Sequence, residues 1–179
     1  MPIPDYQSIM LPLLKFASDG QEHSLRETIE ALADEFNLTV EEHSELLPSG
    51  QQAVFDNRVG WARTYLKKAG MLETTRRGYY RITERGQQIL CQNPTKITTA
   101  FLRQFPEFVE FQKTTRSKLD ETEDGENNET QTPEEVIEAA YQKLRKGLAV
   151  ELLQMIKDRS PAFFERLVID LLVRIWWHA

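Results

Sequence analysis

Apolar residues recur at helical spacing through most of the chain, and this pattern predicts a mainly α protein. The first helix is predicted over residues 4–17. Ser24 and Thr39 each stand three residues before a glutamate, which is the capping-box pattern that begins a helix. A longer helix is predicted over residues 55–69, with Gly70 placed to end it.

The spacing changes at residues 71–83, where two short strands are predicted around a tight turn at residues 76–78. Thr83 then caps another helix, and residues 95–112 are predicted to be helical with a break near Pro106. The order helix, helix, short helix, helix, two-stranded hairpin, helix is that of a winged helix–turn–helix. In that fold the helix before the hairpin enters the major groove of DNA.

The polar, acidic stretch over residues 113–131 has almost no apolar side chains with which to offset the entropy of ordering. Thr132 and Pro133 then begin a long helix, and Ser160 and Pro161 begin the last one. The predicted organisation is a winged-helix domain over residues 1–112, an acidic flexible linker over 113–131 and a helical part over 132–179.

Charge is distributed unevenly, although the net charge of the 179 residues is −6. Residues 19–45 hold nine acidic residues and one basic, and residues 119–131 hold six acidic and none basic. Residues 58–85 hold eight basic residues and two acidic. Screening removes the influence of charges farther than about 8 Å at physiological salt. The basic segment can therefore bind nucleic acid on an acidic protein.

Several classes of protein are disfavoured by composition. One cysteine, Cys91, excludes an intrachain disulfide, and the three histidines lack the spacing of metal ligands. No signal-peptide pattern and no apolar run of about 20 residues is present, so neither secretion nor a membrane partner is expected. The cytoplasm is the expected compartment.

The face of helix 55–69 opposite its apolar side carries the chemistry that reads DNA. Asparagine can pair with adenine and arginine with guanine through two hydrogen bonds each. A glycine inside a helix, as at Gly60, costs about 1 kcal/mol relative to alanine. Its presence indicates that another group approaches the helix backbone closely at this position. The hairpin tip adds arginines and tyrosines suited to phosphates or a minor groove. The predicted DNA-binding residues are Asn57, Arg58, Trp61, Arg63, Thr64, Lys67, Lys68, Arg76, Arg77 and Tyr79.

Other interpretations of the same residues stay open. Trp61 can be a core aromatic rather than a base contact, and the core is the preferred place for Tyr65. The basic helix can be an ordinary solvated face. A winged helix also serves in transcription regulators and as a protein-docking module, so the fold alone does not decide. DNA binding through phosphates would weaken steeply with salt.

Three stretches carry a family resemblance: residues 61–73 with 78–86, residues 138–153, and residues 160–172. Together they resemble Mrr-type restriction endonucleases, from the N-terminal domain through the joining helix to the first helix of the catalytic domain. The resemblance implies modification-dependent restriction, with the N-terminal winged helix bound to double-stranded DNA. It also implies hydrolysis of methylated DNA by a Mg²⁺-dependent nuclease domain.

That family's nuclease motif, an Asp followed by an acidic-or-Gln–x–Lys element, has no counterpart in this sequence. Glu165 is a weak candidate for an acidic residue of the first catalytic helix, and a surface position is at least as good an interpretation. No catalytic or metal-binding residue is otherwise expected, and whether the chain is an enzyme is left undecided. We expect it to bind DNA without cutting it and to need no cofactor, whereas Mg²⁺ is expected for the full-length family.

Residues 174–179 depart from the family, which continues into a Gly-Tyr-Gly-Gly-like turn. Because tryptophan has the single codon TGG, a shifted frame through residues 175–178 can encode Tyr-Gly-Gly, and we hypothesise a frameshift. A designed or natural alternative C-terminus is the rival explanation. Apolar residues of the last helix are expected to fold back on helix 133–157, to pair between two chains in a homo-oligomer, or to stay exposed.

Overall fold

The computed structural model describes residues 3–116 and 130–177. Most of the described chain is helical, and a small antiparallel sheet accompanies the helices. The helices are α1 Tyr6–Phe16, α2 Leu25–Glu35, α3 Val40–Ser44, α4 Val54–Lys68, α5 Glu84–Cys91, α6 Thr99–Leu102, α7 Pro106–Arg116, α8 Pro133–Lys157 and α9 Pro161–Trp177. The strands are β1 His23–Ser24, β2 Leu72–Arg76 and β3 Tyr79–Ile82.

Helix α4 packs against α1 and forms the centre of the core. Phe55, Val59, Ala62 and Leu66 lie on one side of α4 and are fully buried. The sheet has the order β1-β3-β2, and both of its pairings are antiparallel. This mainly helical arrangement, with its two-stranded hairpin after α4, is consistent with the winged-helix-like fold that the sequence predicts.

Local sequence signals begin and end the helices as expected. The hydroxyls of Ser24, Thr39 and Thr83 each accept a hydrogen bond from a backbone N–H three residues later. Gly70, with φ of +73°, follows the last turn of α4. Its N–H donates to the Lys67 carbonyl, and the next N–H donates to the Leu66 carbonyl, both at 2.9 Å. This pair of bonds satisfies carbonyls that the helix end would leave free.

Three features differ in detail from the sequence predictions. Strand β1 was not expected, since it has only two residues and depends on pairing with β3. The predicted helix over residues 95–112 is two helices, α6 and α7, and α7 begins at Pro106, the position that favoured a break. Helix α7 continues to Arg116, past the predicted start of the linker at residue 113, and most of that linker lies outside the described residues.

The chain packs as two units, Met1–Val136 and Ile137–Ala179, so the division falls inside α8. The first unit holds the core described above. In the second unit, large apolar side chains of α8 and α9 are exposed, with Trp176 88% exposed and Phe163 45%. Among the described residues, no helix is long and apolar enough to cross a bilayer.

A buried chain of hydrogen bonds links Tyr80 of the hairpin to α2. The Thr28 hydroxyl donates to the Ser24 carbonyl at 2.8 Å, so the Tyr80 hydroxyl, 2.7 Å from Thr28 Oγ1, is the donor to Thr28. Tyr80 is 1% exposed, and its burial raises its pKa to about 12. Because the folded pKa lies above the unfolded value of 10.0, the neutral phenol stabilises the fold below pH 10, and this stability is lost between pH 10 and 12.

We therefore expect Tyr80→Phe to cost about 1 kcal/mol of unfolding free energy at pH 8 by loss of one hydrogen bond. The variant should also lack an alkaline destabilisation of about 2 kcal/mol that the native protein shows by pH 12. Urea unfolding at both pH values measures the difference. Tyr79→Phe, which removes the neighbouring hydroxyl, should lose the same unfolding free energy at pH 12 as the native protein does. If the Tyr79→Phe protein lacked this alkaline destabilisation, the assignment to Tyr80 would be contradicted.

Candidate nucleic-acid interface

Helix α4 has two sides that do not face the apolar core. With 3.6 residues per turn, the residues Gly60, Arg63, Thr64 and Lys67 fall on one side, which we call the open face. The residues Asn57, Arg58 and Trp61 fall on another side, which we call the covered face. The sequence predicted DNA contacts from both sides without separating them, and the structure places them in different surroundings.

The open face is accessible and carries positive charge. Lys67 is exposed and Arg63 is half-buried. Within residues 3–116 and 130–177, neither side chain has a hydrogen bond or an ion pair. Thr64 donates its hydroxyl to the Gly60 carbonyl at 2.9 Å, which satisfies the hydroxyl and leaves its methyl group available. A Cβ added at Gly60 would meet no atom within 4 Å, so no internal contact requires a glycine there.

The hairpin of β2 and β3 adds a second basic group. The Arg76 guanidinium lies over the Tyr79 ring, 3.7 Å from its centroid, and its Nε is 3.2 Å from a Glu22 carboxylate oxygen. The Arg76 side chain is nevertheless 61% exposed, and Arg77 at the turn is exposed as well. A planar guanidinium held on a ring keeps its outer N–H groups available for a phosphate.

Asn57 on the covered face is held by the start of α8. The Thr132 hydroxyl donates to Asn57 Oδ1 at 2.6 Å, and Asn57 Nδ2 donates to Gln52 Oε1 at 3.4 Å. Asn57 is 3% exposed and Thr132 is fully buried. Since a base-reading asparagine uses both its oxygen and its nitrogen, Asn57 cannot pair with adenine in this arrangement.

Arg58 lies beside Asn57 and is also engaged. Its Nε and Nη2 donate to Glu135 Oε1 at 3.0 and 2.6 Å, and its Nη1 donates to the carbonyls of Ile3 and Pro4 at 2.7 and 3.2 Å. Glu135 uses its other oxygen, Oε2, to accept from the Thr132 backbone N–H at 2.7 Å. One glutamate therefore caps α8 and neutralises an arginine of α4.

Trp61 completes the covered face. Its indole N–H donates to a carboxylate oxygen of Glu134, and its ring packs edge-on against Tyr65 with centroids 5.5 Å apart. Tyr65 in turn packs edge-on against Tyr6 and Phe108 at 5.3 and 5.5 Å, as expected of a core aromatic. Burial, and then the Glu134 carboxylate, raise the pKa of the Tyr65 hydroxyl. Trp61 is thus partly buried against the core.

Lys68, the last predicted contact on α4, is exposed, and its ammonium lies 4.9 Å from the centroid of the Phe111 ring. Of the ten predicted DNA-binding residues, the structure brings Arg63, Thr64 and Lys67 together on the open face. It places Arg76, Arg77 and Tyr79 on the hairpin.

Sequence reasoning missed the acidic residues that lie against α4. Thr132 and Pro133 were predicted to begin a helix, but nothing in the local pattern indicated that Thr132 and Glu135 have partners about 75 residues away. Asp56 was also missed. It lies in the first turn of α4, where burial raises the pKa of its carboxyl against the lowering effect of His43, whose Nε2 is 3.8 Å from Asp56 Oδ1.

The described residues offer no ligand set for a metal. No group of three or more His, Cys, Asp or Glu side chains comes together within residues 3–116 and 130–177. Glu165, the weak catalytic candidate, lies on α9 with an exposed side chain. The described residues therefore do not supply a three-ligand group for the Mg²⁺ that the resemblance implies.

Comparison with known proteins identifies relatives. Residues 6–92 match the family model of the Mrr N-terminal domain. The chain is 29% identical, over 183 aligned residues that include 98% of it, to the type IV methyl-directed restriction enzyme EcoKMrr of Escherichia coli strain K12. It spans 60% of that relative's length. No solved structure matches the chain.

The buried pair of Asn57 and Thr132 should contribute measurably to stability. Thr132→Val leaves the Asn57 oxygen buried without its donor and removes the helix cap, so we expect a loss of about 1–3 kcal/mol in urea unfolding. Thr132→Ser, which keeps the hydroxyl, should lose much less. Equal stability of the valine and serine variants would contradict the contribution of this hydrogen bond.

Proposed function

We propose that this chain, whose residues 6–92 match the family model of the Mrr N-terminal domain, is the DNA-binding portion of an Mrr-like restriction-system protein that recognises methylated DNA. In this proposal the first unit is a winged helix, α4 lies in the major groove, and the hairpin of β2 and β3 is the wing that grips the backbone. Double-stranded DNA is the proposed partner.

One observation carries the proposal: Arg63 and Lys67, two basic side chains on the accessible side of α4, have no ion pair in the part of the chain that the structure describes. Arg76 and Arg77 continue the positive charge onto the hairpin that follows α4. The neighbouring Arg81 and Arg85 are paired with Glu73 and Glu107 and are therefore less available to an outside anion. Arg63 and Lys67, which have no such partner among the described residues, are available to phosphate oxygens.

Recognition of methyl groups is proposed for the middle of the open face. A methyl group on a base in the major groove is read by apolar contact, for which the methyl of threonine is suited. Gly60 and Thr64 are one turn apart, and the absence of a side chain at Gly60 allows close approach of a base edge. The relative is methyl-directed by name, and we extend that property to this chain through these two residues.

The first test replaces the unpaired cations. Arg63→Gln/Lys67→Gln should weaken binding to a labelled duplex on the order of 100-fold at low salt, because two charge-assisted hydrogen bonds are lost. The slope of log K against log salt should fall in magnitude by about two. Fluorescence anisotropy across a salt series measures both quantities.

The matched control is Lys15→Gln/Lys96→Gln, which removes the same charge from exposed positions outside α4 and the hairpin. It should change the affinity by less than threefold. Equal weakening by the two double variants would mean that only the net charge matters. No binding at low salt by the native protein would overturn the DNA proposal in favour of a protein-docking module.

A second test uses Gly60. Gly60→Ala should raise the unfolding free energy by about 1 kcal/mol, since alanine is the better helix former and the space is open. The added methyl should nevertheless weaken DNA binding and change the ratio of affinities for methylated and unmethylated duplexes. Gly147→Ala, which makes the same change inside α8 where space is also open, should leave that ratio unaltered. A Gly60→Ala protein that binds both duplexes as the native chain does would contradict the proposed reading position.

The relative's restriction activity, with the Mg²⁺ expected for the full-length family, is proposed only for a protein that includes a nuclease domain. Exposed apolar side chains on α8 and α9 of the second unit, among them Trp176 and Phe163, support pairing of these helices between two copies. Light scattering of the purified chain would detect such a dimer.

A further inference from the structure

We propose that residues 132–135 compete with DNA for α4, so that the covered face becomes available to a duplex only when the start of α8 is released. This inference rests on the proposed function, because it assigns a regulatory contact to the DNA-reading helix. It applies to Asn57, Arg58 and Trp61, which have the chemistry of DNA contacts and are all engaged by the start of α8.

The start of α8 offers α4 the same chemistry that DNA would offer. Glu135 presents a carboxylate oxygen to two nitrogens of Arg58 at 2.6 and 3.0 Å, as a phosphate oxygen would. Thr132 supplies a donor to the Asn57 oxygen, as the amino group of adenine would. Glu134 accepts from the Trp61 indole. Each contact occupies atoms that a base edge or a phosphate would use, while Asn57 Nδ2 and Arg58 Nη1 are bonded to Gln52 and to the Ile3 and Pro4 carbonyls instead.

The contact can also be exchanged without loss of the core. It consists of hydrogen bonds and an ion pair, which water or phosphate can replace, whereas the apolar side of α4 packs elsewhere. The Arg58 and Glu135 side chains remain 19% and 11% exposed, so the pair reaches the surface. The bonds that cap α8, between Thr132 and Glu135, lie within α8 itself and can persist after release.

The consequence is a coupling between DNA and α8. A duplex that binds Arg58 must displace Glu135. A ligand that moves the start of α8 must therefore change the affinity for DNA by the same factor by which DNA changes the affinity for that ligand. Whatever follows residue 136 along α8 would therefore respond to occupancy of α4.

The test removes the competing carboxylates and leaves α4 intact. Glu134→Ala/Glu135→Ala should bind a labelled duplex at least tenfold more tightly than the native chain. The slope of log K against log salt should steepen by about one, because Arg58 loses its carboxylate partner and its Nε and Nη2 can bind a phosphate. Glu110→Ala/Glu151→Ala removes the same charge from exposed positions on α7 and α8. It should raise the affinity by less than threefold.

A double-mutant cycle identifies Arg58 as the residue gained. Arg58→Gln should reduce affinity less than threefold in the native chain and at least tenfold in the Glu134→Ala/Glu135→Ala background. Thr132→Val, which changes no charge, should also raise the affinity. Release should be visible without DNA as a shift of the Trp61 indole N–H resonance in the Thr132→Val protein, which keeps the Glu134 acceptor.

The outcomes separate the two proposals. If every variant binds DNA, but the Glu134→Ala/Glu135→Ala protein binds no more tightly than its charge control, the DNA proposal stands and the competition is overturned. An equal effect of Arg58→Gln in both backgrounds would overturn it as well. No binding by any variant at low salt would overturn the proposed function and this inference with it.

Discussion

Burial of one side of α4 against α1 and the sheet is the constraint from which the rest of the first unit follows. Phe55, Val59, Ala62 and Leu66 are completely buried, and the helical period then fixes which residues remain outside. Once that side is set, Arg63 and Lys67 must lie on one flank, and Arg58 and Trp61 on the other. At its C-terminal end α4 continues through Gly70 into the hairpin that carries Arg76.

The two flanks of α4 show that charge alone does not define an interface. Arg58 and Arg63 are five residues apart and are equally basic in the sequence. Arg58 is bound to Glu135 and to two backbone carbonyls, whereas Arg63 has no ion pair within the described residues. An arginine already engaged must lose those contacts before it can bind a phosphate, so under the proposed function the first DNA contacts would fall on the accessible flank.

The parts of the fold that depend on neighbouring residues could be predicted from the sequence. Helix starts at Ser24, Thr39 and Thr83 rest on a side chain and a backbone group three residues apart, and the α7 start at Pro106 rests on the fixed φ of proline. The apolar side of α4 was predicted by its periodicity for the same reason.

The parts that depend on distant residues could not be predicted. Strand β1 exists because His23 and Ser24 meet β3, which lies more than 50 residues later in the chain. The contact between Asn57 and Thr132 joins residues separated by 75 positions, and no local pattern distinguishes a capping threonine that also bonds another helix. The predicted site therefore combined residues from two flanks of α4 that the fold separates.

The most direct test of the account is a map of amide chemical-shift changes in the ¹⁵N-labelled chain as a duplex is added at low salt. The account predicts that the first and largest changes fall on residues 60–67 and on the hairpin over residues 72–82. Changes confined to α5, α7 or the second unit, with α4 and the hairpin unaffected, would contradict it.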